Sequence, residues 1–117
     1  MSDLYGKILE AQQRPLPTRD VEVPEWGATV RVVALDGDRL AEYLSAEDAH
    51  RRHARLVACS CFDGGERLFM LGDVDMLHAN PAPMMRLWQV ARQLNAWMFE
   101  DAEKNSQPPA ASPSASV

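Results

Sequence analysis

Val21 and Val23 alternate with Glu22, and Val30 and Val32 alternate with Thr29 and Arg31, on either side of Pro24-Glu25-Trp26-Gly27. Successive side chains of a strand point to opposite faces, so this period of two marks a pair of strands with one buried and one wet face. The residues between them suit a reversal. Pro24 has no N–H to give to a ladder and belongs at a strand end or in the turn. Gly27 can take the positive φ that tight turns demand. A β-hairpin over residues 21–33 is therefore the firmest constraint on the fold, because one face of it must be covered by something else.

The remaining elements read as helices. Leu4, Tyr5, Ile8 and Leu9 recur at helical spacing over residues 3–12, with Asp3 as the N-cap, before Arg14-Pro15-Leu16-Pro17-Thr18 breaks the run. Leu35-Asp36-Gly37-Asp38 closes the hairpin and offers a cap to a short helix marked by Leu40, Tyr43 and Leu44. Ser45-Ala46-Glu47-Asp48 reads as a further helix start, with acids in the first turn where the helix dipole favours them. That helix is expected to bury Ala49, His53, Leu56, Val57 and Ser60. Phe62-Asp63-Gly64-Gly65-Glu66-Arg67-Leu68-Phe69 fits either a second small hairpin or an extended excursion. A helix restarts at Gly72–Leu77 and is interrupted at Asn80-Pro81-Ala82-Pro83. The longest helix then runs from about Pro81 to Trp97, with Met84, Leu87, Trp88, Ala91, Leu94 and Met98 on one stripe.

Composition limits the rest. A chain of 117 residues makes one domain, expected over residues 1–105. Residues 106–117 hold four Ser, three Pro and three Ala, too little apolar surface to offset the entropy of ordering, and are expected to be disordered. The fold class is α+β: an N-terminal β-hairpin packed on four to five helices. Twelve basic against 17 acidic residues leave a net charge of −5, unsuited to a nucleic-acid ligand. The basic run His50-Arg51-Arg52-His53-Ala54-Arg55 is expected to be a solvated helix face. No signal peptide or membrane span is expected, and Cys59 and Cys61 are expected to be reduced thiols in a cytoplasm.

A search for chemistry finds little. There is no phosphate-binding glycine loop and no Gly-x-Ser-x-Gly elbow, and the carboxylate pairs such as Asp36 with Asp38 and Asp73 with Asp75 read as caps. His50, His53, Cys59 and Cys61 are the residue types of a tetrahedral zinc site. On one continuous helix, however, Cys59 lies opposite His50, and Cys61 lies roughly 16 Å along the axis from it. Neither a metal nor a cofactor is expected. Trp26 at the hairpin tip, with Met85 and Trp97 on the long helix, are the candidate partner-contact residues. Met70, Met76, Met84, Met85 and Met98 offer either an adaptable binding surface or core.

The order of segments resembles the tail assembly chaperones of siphophages. The resemblance is carried by Val21 to Val32, Ala54-Arg55-Leu56-Val57, Gly65-Glu66-Arg67-Leu68-Phe69, Arg92-Gln93-Leu94-Asn95, and Ala102-Glu103-Lys104-Asn105-Ser106 leading into the Ser/Pro/Ala tail. Cys59-Ser60-Cys61 and the Asn80–Pro83 break depart from it. The resemblance implies a non-enzymatic binding protein of the host bacterial cytoplasm, absent from the mature virion. It implies binding and solubilising of the tape measure protein and recruitment of tail tube protein, with self-association as a further expectation. It also implies a longer form made by frameshifting near Lys104-Asn105. The alternatives are a small His/Cys metal-binding regulator and a structural tail component of the virion.

Overall fold

The computed structural model describes residues 3–45 and 51–99. Several expectations lie outside those residues: Ala46–Asp48 of the helix start, the burial of Ala49, His50, the frameshift region and the Ser/Pro/Ala tail; Ser45, expected to cap that helix start, instead closes the helix before it, its hydroxyl donating to the Glu42 carbonyl at 2.6 Å.

The hairpin forms as its alternation requires. Strands β1 (Thr18–Val23) and β2 (Ala28–Val33) pair antiparallel, with Val21 opposite Val30 and Val23 opposite Ala28. Val23, Val30 and Val32 are buried while Glu22, Thr29 and Arg31 are exposed. Pro24–Trp26 make one turn of 3-10 helix, and Gly27 closes it at φ 61°, its N–H donating to the Pro24 carbonyl at 3.1 Å.

The sheet has two more strands. β3 (Cys61–Asp63) pairs antiparallel with β2, and β4 (Glu66–Arg67) pairs with β3, giving the order β1-β2-β3-β4. Of the two readings open for residues 62–69, the second hairpin is the one formed, with Gly64 at φ 61° in its turn.

Five α-helices surround this sheet among the described residues: α1 (Asp3–Gln12), α2 (Gly37–Leu44), α3 (Arg52–Ser60), α4 (Val74–Ala79) and α5 (Pro81–Leu94). Asp36 caps α2 by accepting the Arg39 N–H at 2.8 Å. Pro81 stands in the first turn of α5, where a missing N–H leaves no bond unmade. α5 crosses β1 and β2 and packs on α3. The core lies at that junction: Val23, Val30, Val32 and Cys61 from the sheet meet Leu56 and Val57 of α3, Leu77 of α4, and Met84, Leu87 and Ala91 of α5.

Some expectations change. α5 stops at Leu94 instead of reaching Trp97, because Asn95 leaves helical geometry and its side chain turns inward. Asn95 is fully buried, accepting the Leu35 N–H at 2.9 Å and donating to the Ala91 carbonyl at 2.8 Å, so the end of α5 is stitched to the loop after β2. His53 is exposed, since the buried part of α3 begins one residue later at Ala54. The basic run is not wholly solvated either: Arg52 and His53 face water, but Arg55 is buried. α1, finally, has the expected helical form yet buries none of its residues.

Candidate interaction surface

The polar groups of the interior act as brackets. The Arg39 guanidinium donates to the carbonyls of Cys59 at 2.8 Å, Ala34 at 2.6 Å and Val33 at 3.3 Å, and sits 5.0 Å above the Phe62 ring. It thereby ties α2 to the end of β2 and to the end of α3. Arg67 forms a two-armed pair with Glu42, one arm at 2.8 Å, and donates from Nε to the Phe69 carbonyl at 2.7 Å. The Arg67 bond holds the Glu42 carboxyl below its ordinary range, against the desolvation that would raise it. Sequence reasoning missed both arginines. The only local signal was the three-residue spacing of Asp36 and Arg39 across a helix start.

The metal-ligand residue types do not converge. His53 meets the Trp88 ring edge-on at 4.5 Å on the exposed side of α3. Cys59 and Cys61 are buried free thiols. Burial raises Cys59 to about 11 and Cys61 to about 12, with Glu42 adding to the rise at Cys59. Zinc binds the thiolate, which these surroundings disfavour. Among the described residues no cluster of three or more His, Cys, Asp or Glu is placed to hold a metal ion. No described helix is long and apolar enough to cross a membrane.

What the molecule does present is exposed apolar surface. Trp26 is 37% exposed at the hairpin tip, and its ring meets Phe69 edge-on at 5.9 Å. Its neighbour Glu25 pairs with Arg86 of α5 at 2.8 Å, which fastens the tip to the helix and holds the Glu25 carboxyl low. Leu68 and Met70 stand out from the chain beside Phe69. At a second place, Trp97 is 56% exposed in a short helical segment after Asn95. It borders a groove of about 560 Å³ lined by Ala11, Leu16, Leu35 and Leu40 as well. The apolar side of α1, Leu4, Tyr5, Ile8 and Leu9, is 47–64% exposed. Of the three candidate contact residues, Trp26 and Trp97 are thus exposed in different patches, and Met85 is half-buried against the core.

The fold so defined is a small α+β domain: a four-stranded antiparallel sheet with α5 across its first hairpin. Among solved structures it is similar to that of the bacteriophage HK97 tail assembly chaperone, with a TM-score of 0.59 and 19% sequence identity over 80% of this chain and 95% of that one. At that identity the likeness is one of fold. No family model and no curated protein matches the sequence.

Proposed function

We propose that this chain is a tail assembly chaperone of a long-tailed phage, which binds the tape measure protein, keeps it in solution and helps recruit tail tube subunits. The observation that carries the reading is the extent of the fold likeness: it takes in 95% of the HK97 chaperone, so the two share a whole architecture and not one motif. The chemistry of the surface supports it. A protein that shields a long helical client needs accessible apolar groups and net charge to keep the complex soluble, and this one has Trp26, Trp97 and the α1 side chains exposed on a chain of net charge −5. It works by binding alone, in the host cytoplasm, and leaves before the virion is complete.

Co-expression tests this directly. The tape measure protein of the same phage, insoluble when made alone, is expected in the soluble fraction and to co-purify when this chain is present. A client that stays insoluble would remove the reading. Mass spectrometry of purified virions separates the alternative of a structural tail component, since a chaperone is expected to be missing from them.

A further inference from the structure

Leu68-Phe69-Met70-Leu71 are four apolar residues in succession, and three of them lie outside any strand or helix. Their backbone is nevertheless pinned. The Leu68 N–H donates to the Cys61 carbonyl at 3.1 Å, the Phe69 carbonyl accepts from Arg67, and the Met70 N–H donates to Asp73 at 2.9 Å. Phe69 and Leu71 pack against the core, while Leu68 at 40% and Met70 at 60% exposure are held outward; Trp26 stands against Phe69, and Met76 follows in α4 at 54%. This is a fixed platform carrying flexible thioethers, the combination that adapts to varied apolar partners.

The ion pairs around it leave an acidic excess. β3 runs from its pairing with Val32 toward the hairpin tip, so the Gly64-Gly65 turn and the Pro24–Gly27 turn lie at the same end of the sheet. Asp63 and Glu66 face each other across that second hairpin and form no ion pair among the described residues. Asp73 lies against Met70, whose N–H it accepts. The nearby cations are already engaged, Arg86 by Glu25 and Arg67 by Glu42. An incoming strand finds little to pair with, because β4 is two residues long and the chain leaves the ladder after Leu68.

We infer that the Trp26–Phe69–Met70 platform docks a basic amphipathic helix of a client protein, apolar side chains against Trp26, Leu68 and Met70, with lysine or arginine answering Asp63, Glu66 and Asp73. The inference rests on the chaperone reading and says which face, and what client chemistry, that reading uses.

The test uses the full chain and two fluorescent helical peptides of about 18 residues, one Leu/Lys and one Leu/Glu, with the same apolar face. Fluorescence polarisation is expected to show binding of the Leu/Lys peptide, weakened by salt, and not of the Leu/Glu peptide. Met70→Glu is expected to weaken it about tenfold or more. The pair Asp63→Lys with Glu66→Lys is expected to shift preference toward the Leu/Glu peptide, and Leu44→Glu, at an exposed position of α2, to leave binding unchanged. Near-UV circular dichroism checks that each variant is folded; should Met70→Glu misfold, Met70→Ser replaces it. Equal binding of both peptides, or undiminished binding by folded Met70→Glu, would overturn the assignment. The two readings fail separately in co-expression. A tape measure protein kept soluble equally well by wild type and the folded variants retains the chaperone and removes this surface. One left insoluble by wild type removes the chaperone.

Discussion

Asn95 illustrates how much one buried polar side chain can fix. It ends α5, and both of its amide functions are engaged, one by Leu35 and one by Ala91. Asn95→Ala would strand the Leu35 N–H without an acceptor in the interior, at a cost of about 1–3 kcal/mol. Urea denaturation is expected to show a lower midpoint with unchanged slope. Glu42 makes a pH-dependent contribution. Its folded pKa lies below the ordinary 4.5, chiefly through the Arg67 bond. The unfolded chain therefore takes up a proton at higher pH than the folded one. The stabilisation is complete above about pH 4.5 and is lost as pH falls through the folded value. Glu42→Gln is expected to be less stable than wild type at pH 7, with the gap closing as the solution is acidified below pH 4.5. A gap that stays constant over that range would show that the pair contributes nothing through ionisation.

At the scale of elements, local pattern and local outcome agree where the physics is local. The alternation of residues 21–33 gives the hairpin, and the stripe from Met84 to Ala91 gives the buried side of α5. Leu87 is fully buried in that stripe, so Leu87→Ala is expected to destabilise by about 3 kcal/mol, measured by denaturant unfolding. Gly27 is legible for the same reason. A Cβ there would touch nothing within 4 Å, so the penalty of Gly27→Ala is the left-handed backbone alone, about 1 kcal/mol. Non-local matters stay hidden. α3 passes from Ser60 into β3 at Cys61 with no intervening loop, which a search for punctuation by Gly or Pro cannot find. The Arg39 bracket depends on three carbonyls brought together by the fold. The periodicity of Leu4, Tyr5, Ile8 and Leu9 predicts a helix correctly but does not say that its apolar side remains exposed, because burial is a property of the surroundings and not of the repeat. For the candidate surface, Trp26 was legible as a turn aromatic. Met70 was open between binding surface and core, and Leu68 was not legible at all, since a short apolar run looks the same whether it enters a core or stands on a platform.

For the molecule as a whole, the two thiols offer a gauge of cooperativity. Cys59 lies in the last turn of α3 and Cys61 begins β3, so the sulfurs sit where helix and sheet meet the core shared with α5. Both are fully buried, and both are held as thiols, at about 11 and about 12, far above neutral pH. Reaction with a disulfide reagent needs an exposed thiolate. At pH 8 the folded protein therefore reacts only through openings that separate α3 from the sheet, and such openings remove most of the core at once. Both cysteines are expected to label together, at one rate, and that rate is expected to rise with urea with the same dependence as global unfolding. Fraying of the exposed α1 leaves it unchanged, because α1 covers neither sulfur. Leu87→Ala, which weakens the shared core, is expected to speed both reactions about a hundredfold where opening precedes reaction. Labelling of Cys59 well ahead of Cys61, or independence from urea, would mean that α3 detaches alone and that the sheet and the helices around it are not one cooperative unit.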